Sequence, residues 1–346
     1  ADDETTAESN TSDMIAALKA NGSACAKYEV YSAGSITPDA HWDLADRVYS
    51  IGTPYNWLFA QSLEKTQNGT IDPSMTFTSE TISEELGITS VWDYELGKIY
   101  VINPSTSKNA VLIDTAMGGY GEADLYGYLV ENGLVSKEQT IDVVLTHNHG
   151  DHILGLPSLA ASGKLGELYI HELDAPAVVT ADYIDLNNVT YIKDGDTIPT
   201  GGGELEVFEV PGHTQGSVVF FYGDDYIFTG DAIGSGDVWM TATSVEEYLP
   251  YVQRFAAEVN AREAAGADYT ILTGHAENYA PFTSEYLNNM VKCAEGTVNG
   301  TITPGVYTRR DGNYATFGNA NIYFNDATTN AVMNAQVETT GQKVVS

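Results

Sequence analysis

The stretch Thr146-His147-Asn148-His149-Gly150-Asp151-His152 decides how the chain is to be read. It follows the apolar run Ile141 to Leu145, whose short length and β-branched residues predict a buried strand that ends in a polar turn. Three imidazoles and a carboxylate crowd into the six positions 147–152. Neither core packing nor a solvated loop accounts for such crowding. Histidine offers neutral nitrogen and aspartate a hard anionic oxygen, a combination that suits zinc and similar divalent metals. In extended backbone His147 and His149 point the same way and can share one metal. Asp151 and His152, beyond the turn at Gly150, can reach a second.

Working outward, the texture around this stretch is that of strands and helices in alternation. Upstream, Val91 to Leu96, Lys98 to Asn103 and Ala110 to Asp114 read as short strands of a meander. Glu122 to Asn132 reads as a helix with Leu125, Tyr128 and Leu129 on one face and Gly133 as its C-cap. Downstream, a helix is expected from about Ile153 to Ser162. A strand at Leu168 to His171 and a helix over Asp174 to Thr180, with Pro176 in its first turn, come next. A second block of strands follows at Val189 to Ile192, Thr197 to Pro199, Glu204 to Val210, Ser217 to Tyr222 and Tyr226 to Thr229. An amphipathic helix runs from Ser244 to about Ala265, a strand from Tyr269 to Leu272, and a helix from Pro281 to Glu295. Two similar halves of this kind predict two sheets face to face with helices outside.

Three further places carry a lone ligand-type residue beside glycine at a strand end. They are Pro211-Gly212-His213-Thr214, Thr229-Gly230-Asp231-Ala232 and Thr273-Gly274-His275-Ala276. A rigid sheet can aim such a side chain from a tight loop, and the glycine lets backbone come close. One alone is a weak signal; with the cluster at 147–152, in this order, they are a strong one.

The set His147, His149, Asp151, His152, His213, Asp231 and His275 resembles that of the metallo-β-lactamase-fold hydrolase superfamily, over roughly Ile88 to Glu295. Leu112-Ile113-Asp114-Thr115-Ala116 is similar to the superfamily's early Leu-Ile-Asp-Thr-Gly element and departs from it at Ala116. The resemblance implies an α/β (α+β) fold, a four-layer αββα sandwich with metals at one edge between the sheets. It implies that His147, His149 and His213 hold one ion. Asp151, His152 and His275 hold the second, and Asp231 bridges the two. It also implies two divalent ions per chain, zinc first, with iron or manganese accepting the same donors. A metal-bridging hydroxide would be the nucleophile, since such ions lower the pKa of bound water from about 15.7 towards about 7, and Asp151 would orient it or handle a proton.

Departures narrow the substrate. In the zinc β-lactamases of the superfamily the place of Asp231 is usually Cys or Ser, whereas a bridging Asp looks like the glyoxalase II, lactonase, ribonuclease Z and phosphodiesterase branches. The expectation is hydrolysis of a small ester, lactone, thioester or related acyl bond. Hydrolysis of a phosphodiester or phosphorylated small molecule is the alternative, and β-lactamase and non-catalytic binding rank below it. The loop Ile233 to Met240, with Trp239 and Met240, is expected to line the substrate pocket. His171 is assigned to structure or to supporting a ligand.

Bulk properties agree. With 15 basic against 48 acidic residues the formal charge is −33. That field repels polyanions, so nucleic acid is not an expected partner and a small-molecule substrate is. No run approaches the roughly 18 apolar residues of a membrane span. The acidic lead Ala1 to Asn10, the low lysine content and the charge together suggest a secreted, cell-surface or periplasmic protein, or else a cytoplasmic one of a salt-adapted organism. Residues 1–87 are read as the acidic leader and a mostly helical accessory layer, rich in aromatics at Trp42, Tyr49 and Trp57. Thr76 to Gly87 is taken there as a short helix. Residues 88–296 are read as the hydrolase domain and 297–346 as a β-rich or irregular tail. Cys25 and Cys293 could form one disulfide or stay as two buried thiols, and the oligomeric state is not encoded legibly.

Overall fold

The computed structural model describes residues 77–93, 97–105, 107–117, 123–275, 282–307 and 312–325. The aromatic segment with Trp42, Tyr49 and Trp57, His41 and Cys25 lie outside the described residues. The first sheet has seven strands in sequence order: β1 (Phe77–Ser83), β2 (Ile88–Asp93), β3 (Lys98–Ile102), β4 (Asn109–Ile113), β5 (Thr140–Val144), β6 (Leu165–His171) and β7 (Val189–Ile192). It is antiparallel from β1 to β4 and parallel from β4 to β7. The second sheet takes β8 (Thr197–Pro199), β9 (Glu204–Glu209), β10 (Val218–Tyr222), β11 (Tyr226–Gly230) and β13 (Thr270–Thr273) in the order β13-β11-β10-β9-β8.

Strands buried on both faces read as continuous apolar runs, and the period-two alternation sorts their side chains into separate layers. From β4, Val111 and Ile113 meet Val207, Phe220 and Phe228 of the second sheet. Ala110 and Leu112 instead pack with α1 (Leu125–Glu131) and α3 (Leu156–Ala161). From β10, Val219 and Phe221 turn to α5 (Val245–Ala265) and α6 (Ser284–Val298). The result is helices, sheet, sheet, helices: the αββα sandwich. Leu125, Tyr128 and Leu129 are the buried face of α1, and Gly133 follows it at φ +69°. Ser244 caps α5 in a capping box with Glu247.

Three readings are corrected. Residues 77–83 form the edge strand β1 and not a helix, pairing Phe77 with Asp93 and Thr81 with Thr89. Thr78, Thr81 and Ile82 are β-branched, and Gly87 at φ +65° turns the chain back onto β2. The single helix expected after His152 is two short ones, α2 (Gly150–Ile153) and α3, meeting at Leu154-Gly155. There the backbone runs so close to Thr115 that a Cβ on Gly155 would lie 2.2 Å from its carbonyl oxygen. A third sheet also exists, which the two-sheet reading lacked. In it β12 (Asp237–Met240) pairs in parallel with β16 (Ala320–Phe324), followed by β15 (Gly312–Phe317) and β14 (Gly305–Tyr307). Of the cysteines, Cys293 is a free buried thiol of α6, its pKa pushed up to about 11 by burial. One further short helix, α4 (Pro176–Val179), follows β6.

Helix α5 is fastened to β9 by two arginines laid over aromatic rings. Arg262 forks onto Glu206, also reaches Glu258, and stands 4.1 Å above the ring of Phe221. Arg254 forks onto Asp194 and stands 4.0 Å from the ring of Phe208. Both pairs are partly exposed, which limits their worth to about 1 kcal/mol each. A lysine keeps the charge of Arg262 and loses the fork and the stacking. Arg262→Lys is therefore expected to lower Tm by roughly 2–4 °C, read by calorimetry. An unchanged Tm would show that the clamp does not hold the helix.

Candidate metal centre

The site stands at one edge of the sandwich, where strands of both sheets end. After β5 the chain delivers His147 and His149 from an extended turn, and Asp151 and His152 from α2. His213 comes from the loop after β9, Asp231 directly after β11 and His275 after β13. The ends are tied together. Val218 donates its backbone N–H to the carbonyl of Thr146 across the sheets at 3.0 Å. Tyr100 Oη donates to the carbonyl of Thr273 at 2.7 Å, and Lys98 N to that of Gly274 at 2.8 Å. Glycine is required where backbone must pass between ligands: a Cβ on Gly274 would lie 2.6 Å from Asp231 Oδ1 and 2.7 Å from His152 Cε1.

Seven predicted side chains meet here. The ligand atoms of His147, His149 and His213 lie within 4.8 Å of one another, as do those of Asp151, His152 and His275. Asp231 stands between the two groups. Its Oδ2 is 3.4 Å from His213 Nε2 and 3.0 Å from His275 Nε2, and its Oδ1 is 3.5 Å from His152 Nε2. Asp151 Oδ2 is 3.5 Å from His275 Nε2. The Nε2 atoms of His147, His152 and His213 and Oδ1 of Asp231 are buried without a hydrogen-bond partner. Buried polar atoms are normally satisfied. Orphans that converge, on nitrogen and carboxylate donors, fit divalent metal ions, and the clusters are able to bind them.

The far nitrogens of the rings are held by groups the sequence reading did not assign as partners. Asp114, buried at the end of β4, accepts from Thr146 N at 2.8 Å and from Thr146 Oγ1 at 2.7 Å, and lies 2.9 Å from His152 Nδ1. Thr146 Oγ1 also lies 3.0 Å from His147 Nδ1. His213 Nδ1 is 2.7 Å from the carbonyl oxygen of Trp239. Asp174 braces the loop of His213: it accepts from Thr214 Oγ1 at 2.6 Å and Gly216 N at 2.9 Å, with burial pushing its carboxyl pKa up. Asp114 and Ala116 both have φ +58°, a left-handed conformation that glycine takes freely and other residues rarely. Thus Ala116, which stands where the resembled element has glycine, takes a backbone conformation that glycine adopts freely. The signal for Asp114 was its place in the Leu112–Ala116 element at the end of an apolar strand; nothing in the sequence singled out the carbonyl of Trp239.

His171 belongs to neither donor cluster. Its Nε2 lies 3.2 Å from Glu209 Oε1 and its Nδ1 accepts from Leu173 N. Met240 is buried in the core cluster that holds Phe255, Tyr286 and Met290. Trp239 is half-buried and stacks on Tyr323, with ring centroids 4.3 Å apart and planes at 10°.

The metallo-beta-lactamase superfamily profile matches residues 93–277. A hydroxyacylglutathione hydrolase of Aeromonas hydrophila subsp. hydrophila is 36% identical over 93 residues, covering 27% of this chain and 33% of that protein. One of Bdellovibrio bacteriovorus is 26% identical over 136 residues, covering 39% of this chain and 48% of that protein. The chain thus spans about a third to a half of the length of the curated relatives it matches. Among solved structures, a metallo-beta-lactamase from Pontibacter korlensis superposes with a TM-score of 0.49 at 21% identity, covering 63% of this chain and 99% of that one. A flavoprotein from Thermotoga maritima gives 0.47 at 20%, covering 64% and 62%. The fold and donor set define a metal-binding αββα protein. The chain belongs to the metallo-beta-lactamase superfamily.

The two ligand groups differ electrostatically. Burial, then the neighbouring His152, depresses the pKa of His147; burial, then His213, holds His149 down to about 3; burial also lowers His213. For His152 burial again opposes charge, but Asp231 and Asp114 outweigh it and raise the pKa well above the usual value. For His275 burial is likewise outweighed, chiefly by Asp231. The field of the carboxylates thus favours the protonated rings of His152 and His275, while burial disfavours protonation of His147, His149 and His213. Because a proton and a metal compete for the same nitrogen, the ion at Asp151, His152 and His275 is expected to be lost first as pH falls. Calorimetric titrations with zinc in buffers of different ionisation enthalpy should show proton release on filling that group and little on filling the other; equal release from both would contradict the asymmetry. Asp114→Asn turns an acceptor into a donor against Thr146 or His152, and should weaken metal binding by roughly 10–100-fold with the fold retained. Equilibrium dialysis checks it, and wild-type affinity would reduce Asp114 to a packing residue.

Proposed function

We propose that the chain is a zinc-dependent hydrolase of a small acyl substrate, a thioester first among them. The observation that carries this reading is the convergence of orphaned, buried donor atoms on both sides of the Asp231 carboxylate. The thioester is favoured because the curated relatives are hydroxyacylglutathione hydrolases, and the bridging carboxylate, in place of Cys or Ser, speaks for the same branch. His147, His149 and His213 would hold one ion and Asp151, His152 and His275 the other. When bound, such ions polarise an acyl oxygen and lower the pKa of water from about 15.7 towards about 7.

The chain's own groups do the rest. Asp231 sets the spacing between the two donor groups. Asp151, with 29% of its side chain exposed against 13% for Asp231, is the carboxylate that faces entering solvent and is placed to orient the attacking water and take its proton. Burial of the imidazoles of His147 and His149 keeps them neutral and therefore available as donors. The formal charge of −33 speaks for a small substrate over a polyanion. The test pairs metal analysis of the purified protein with a panel of thioester, lactone, β-lactam and bis-aryl phosphate substrates. Two zinc ions per chain and turnover of thioester or lactone are expected, with Asp231→Ala and His213→Ala at least 100-fold slower. Fewer than two metals at saturation, or turnover confined to the phosphate, would overturn the reading.

A further inference from the structure

We infer that the C-terminal hairpin β15–β16 is a positioning element of the metal centre, which acts on His213 through the carbonyl of Trp239. This rests on the reading of His213 as a ligand. A histidine presents Nε2 to a metal in a fixed direction only while an acceptor holds its Nδ1–H. For His213 that acceptor is the main-chain carbonyl of Trp239, so its place is the place of strand β12. The same strand end grips the ligand's loop twice more: the hydroxyl of Thr241 donates to the carbonyl of His213, and Ala242 N donates to that of Gly212 at 3.4 Å. Whatever fixes β12 thus aims His213.

Among the described residues β12 is an edge strand whose one neighbour in the sheet is β16. The pairing sets Val238 against Ile322 and Trp239 against Tyr323. Asn321 closes its start, donating N–H to the carbonyl of Gly236 and Nδ2–H to Asp237 Oδ1, both at 2.8 Å. On one face the Trp239 indole lies flat against Tyr323, with Tyr314 at 6.0 Å behind it. On the other, Val238, Met240, Ala315, Ala320 and Ile322 share one core cluster. Strands β15 and β16 lie beyond residue 277, where the superfamily match ends. A segment outside the matched region therefore positions a residue inside it, His213.

The experiment compares Tyr323→Ala, Tyr323→Phe and His213→Ala in the zinc-loaded full chain, following zinc release to a chromophoric chelator and the melting of the metal-free proteins. Tyr323→Phe keeps the stacked ring and should match wild type. Tyr323→Ala should release one of its two zinc ions about tenfold faster than wild type and leave the other at its own rate, a mild version of the 10–100-fold effects of supporting groups on metal affinity. Faster release of both ions in equal measure, or wild-type release of both, would reduce the hairpin to packing. If His213→Ala keeps both ions, the ligand reading fails instead, which separates the two failures. Should Tyr323→Ala not fold, Asn321→Ala removes only the partly buried tie to Asp237 and is read by the same release, with the same outcomes deciding.

Discussion

Everything at the site depends on the contact between Asp114 and Thr146. The carboxylate receives both the amide and the hydroxyl of Thr146, and touches the Nδ1 of His152 as well. Through its own carbonyl Thr146 takes the backbone N–H of Val218 from the opposite sheet. One buried residue thus ties the two sheets together and starts the turn that carries His147, His149, Asp151 and His152. The closeness is paid for locally: a Cβ on Gly230 would fall 2.4 Å from Thr146 Oγ1, and Asp114 itself is held in left-handed backbone. Non-glycine residues in that region cost of order 1–3 kcal/mol and persist where surrounding contacts over-determine them. Four named contacts to Asp114 and Thr146 do so here.

The charge balance points the same way. Asp114, Asp151 and Asp231 bring three carboxylates to the same small region, two of them strongly buried. A buried ionised carboxylate is costly unless it is paired. Here the pairing falls to His152 and His275, whose pKa values Asp231 raises; burial opposes ionisation of Asp231, but His275 and His152 outweigh it and keep its pKa well below the usual range. Positive charge is what the pocket is built to receive, in a chain whose surroundings are overwhelmingly negative. Fixed cations answer both demands at once.

Much of this was legible in the sequence because ligand chemistry is local. His147 to His152 follow a strand that any reading of Ile141 to Leu145 would place, and His213, Asp231 and His275 each follow another. Strands buried on both faces, such as Val218 to Tyr222, announce themselves by unbroken apolar runs. Edges do not. Phe77–Ser83 exposes much of one face, and its mixed polar pattern passed for a helix until Gly87 folded it onto β2. Likewise β12 is only four residues long and follows Gly234 and Gly236, so it read as a loop. Its strand character comes from Asn321–Phe324, more than 80 positions away, and no local propensity carries such information. The carbonyl of Trp239 was invisible for a plainer reason: main-chain acceptors have no residue type.

These long-range contacts also separate the two ligand groups in kind. In the first, the Nδ1 of His147 meets the Thr146 hydroxyl and that of His213 meets the Trp239 carbonyl, while Asp174 braces the loop behind His213. Those groups are uncharged or remote, and the rings are neutral and buried, so the donors are pre-aimed whatever the protonation state of the pocket. In the second, His152 and His275 are held chiefly by carboxylates, which favour the protonated ring and must release it before a metal enters. Rigidity therefore lies with one group and charge regulation with the other. A bridging carboxylate serves both: Asp231 touches His213 on the rigid side and His152 and His275 on the titrating side, so filling either group alters the field felt by its neighbour.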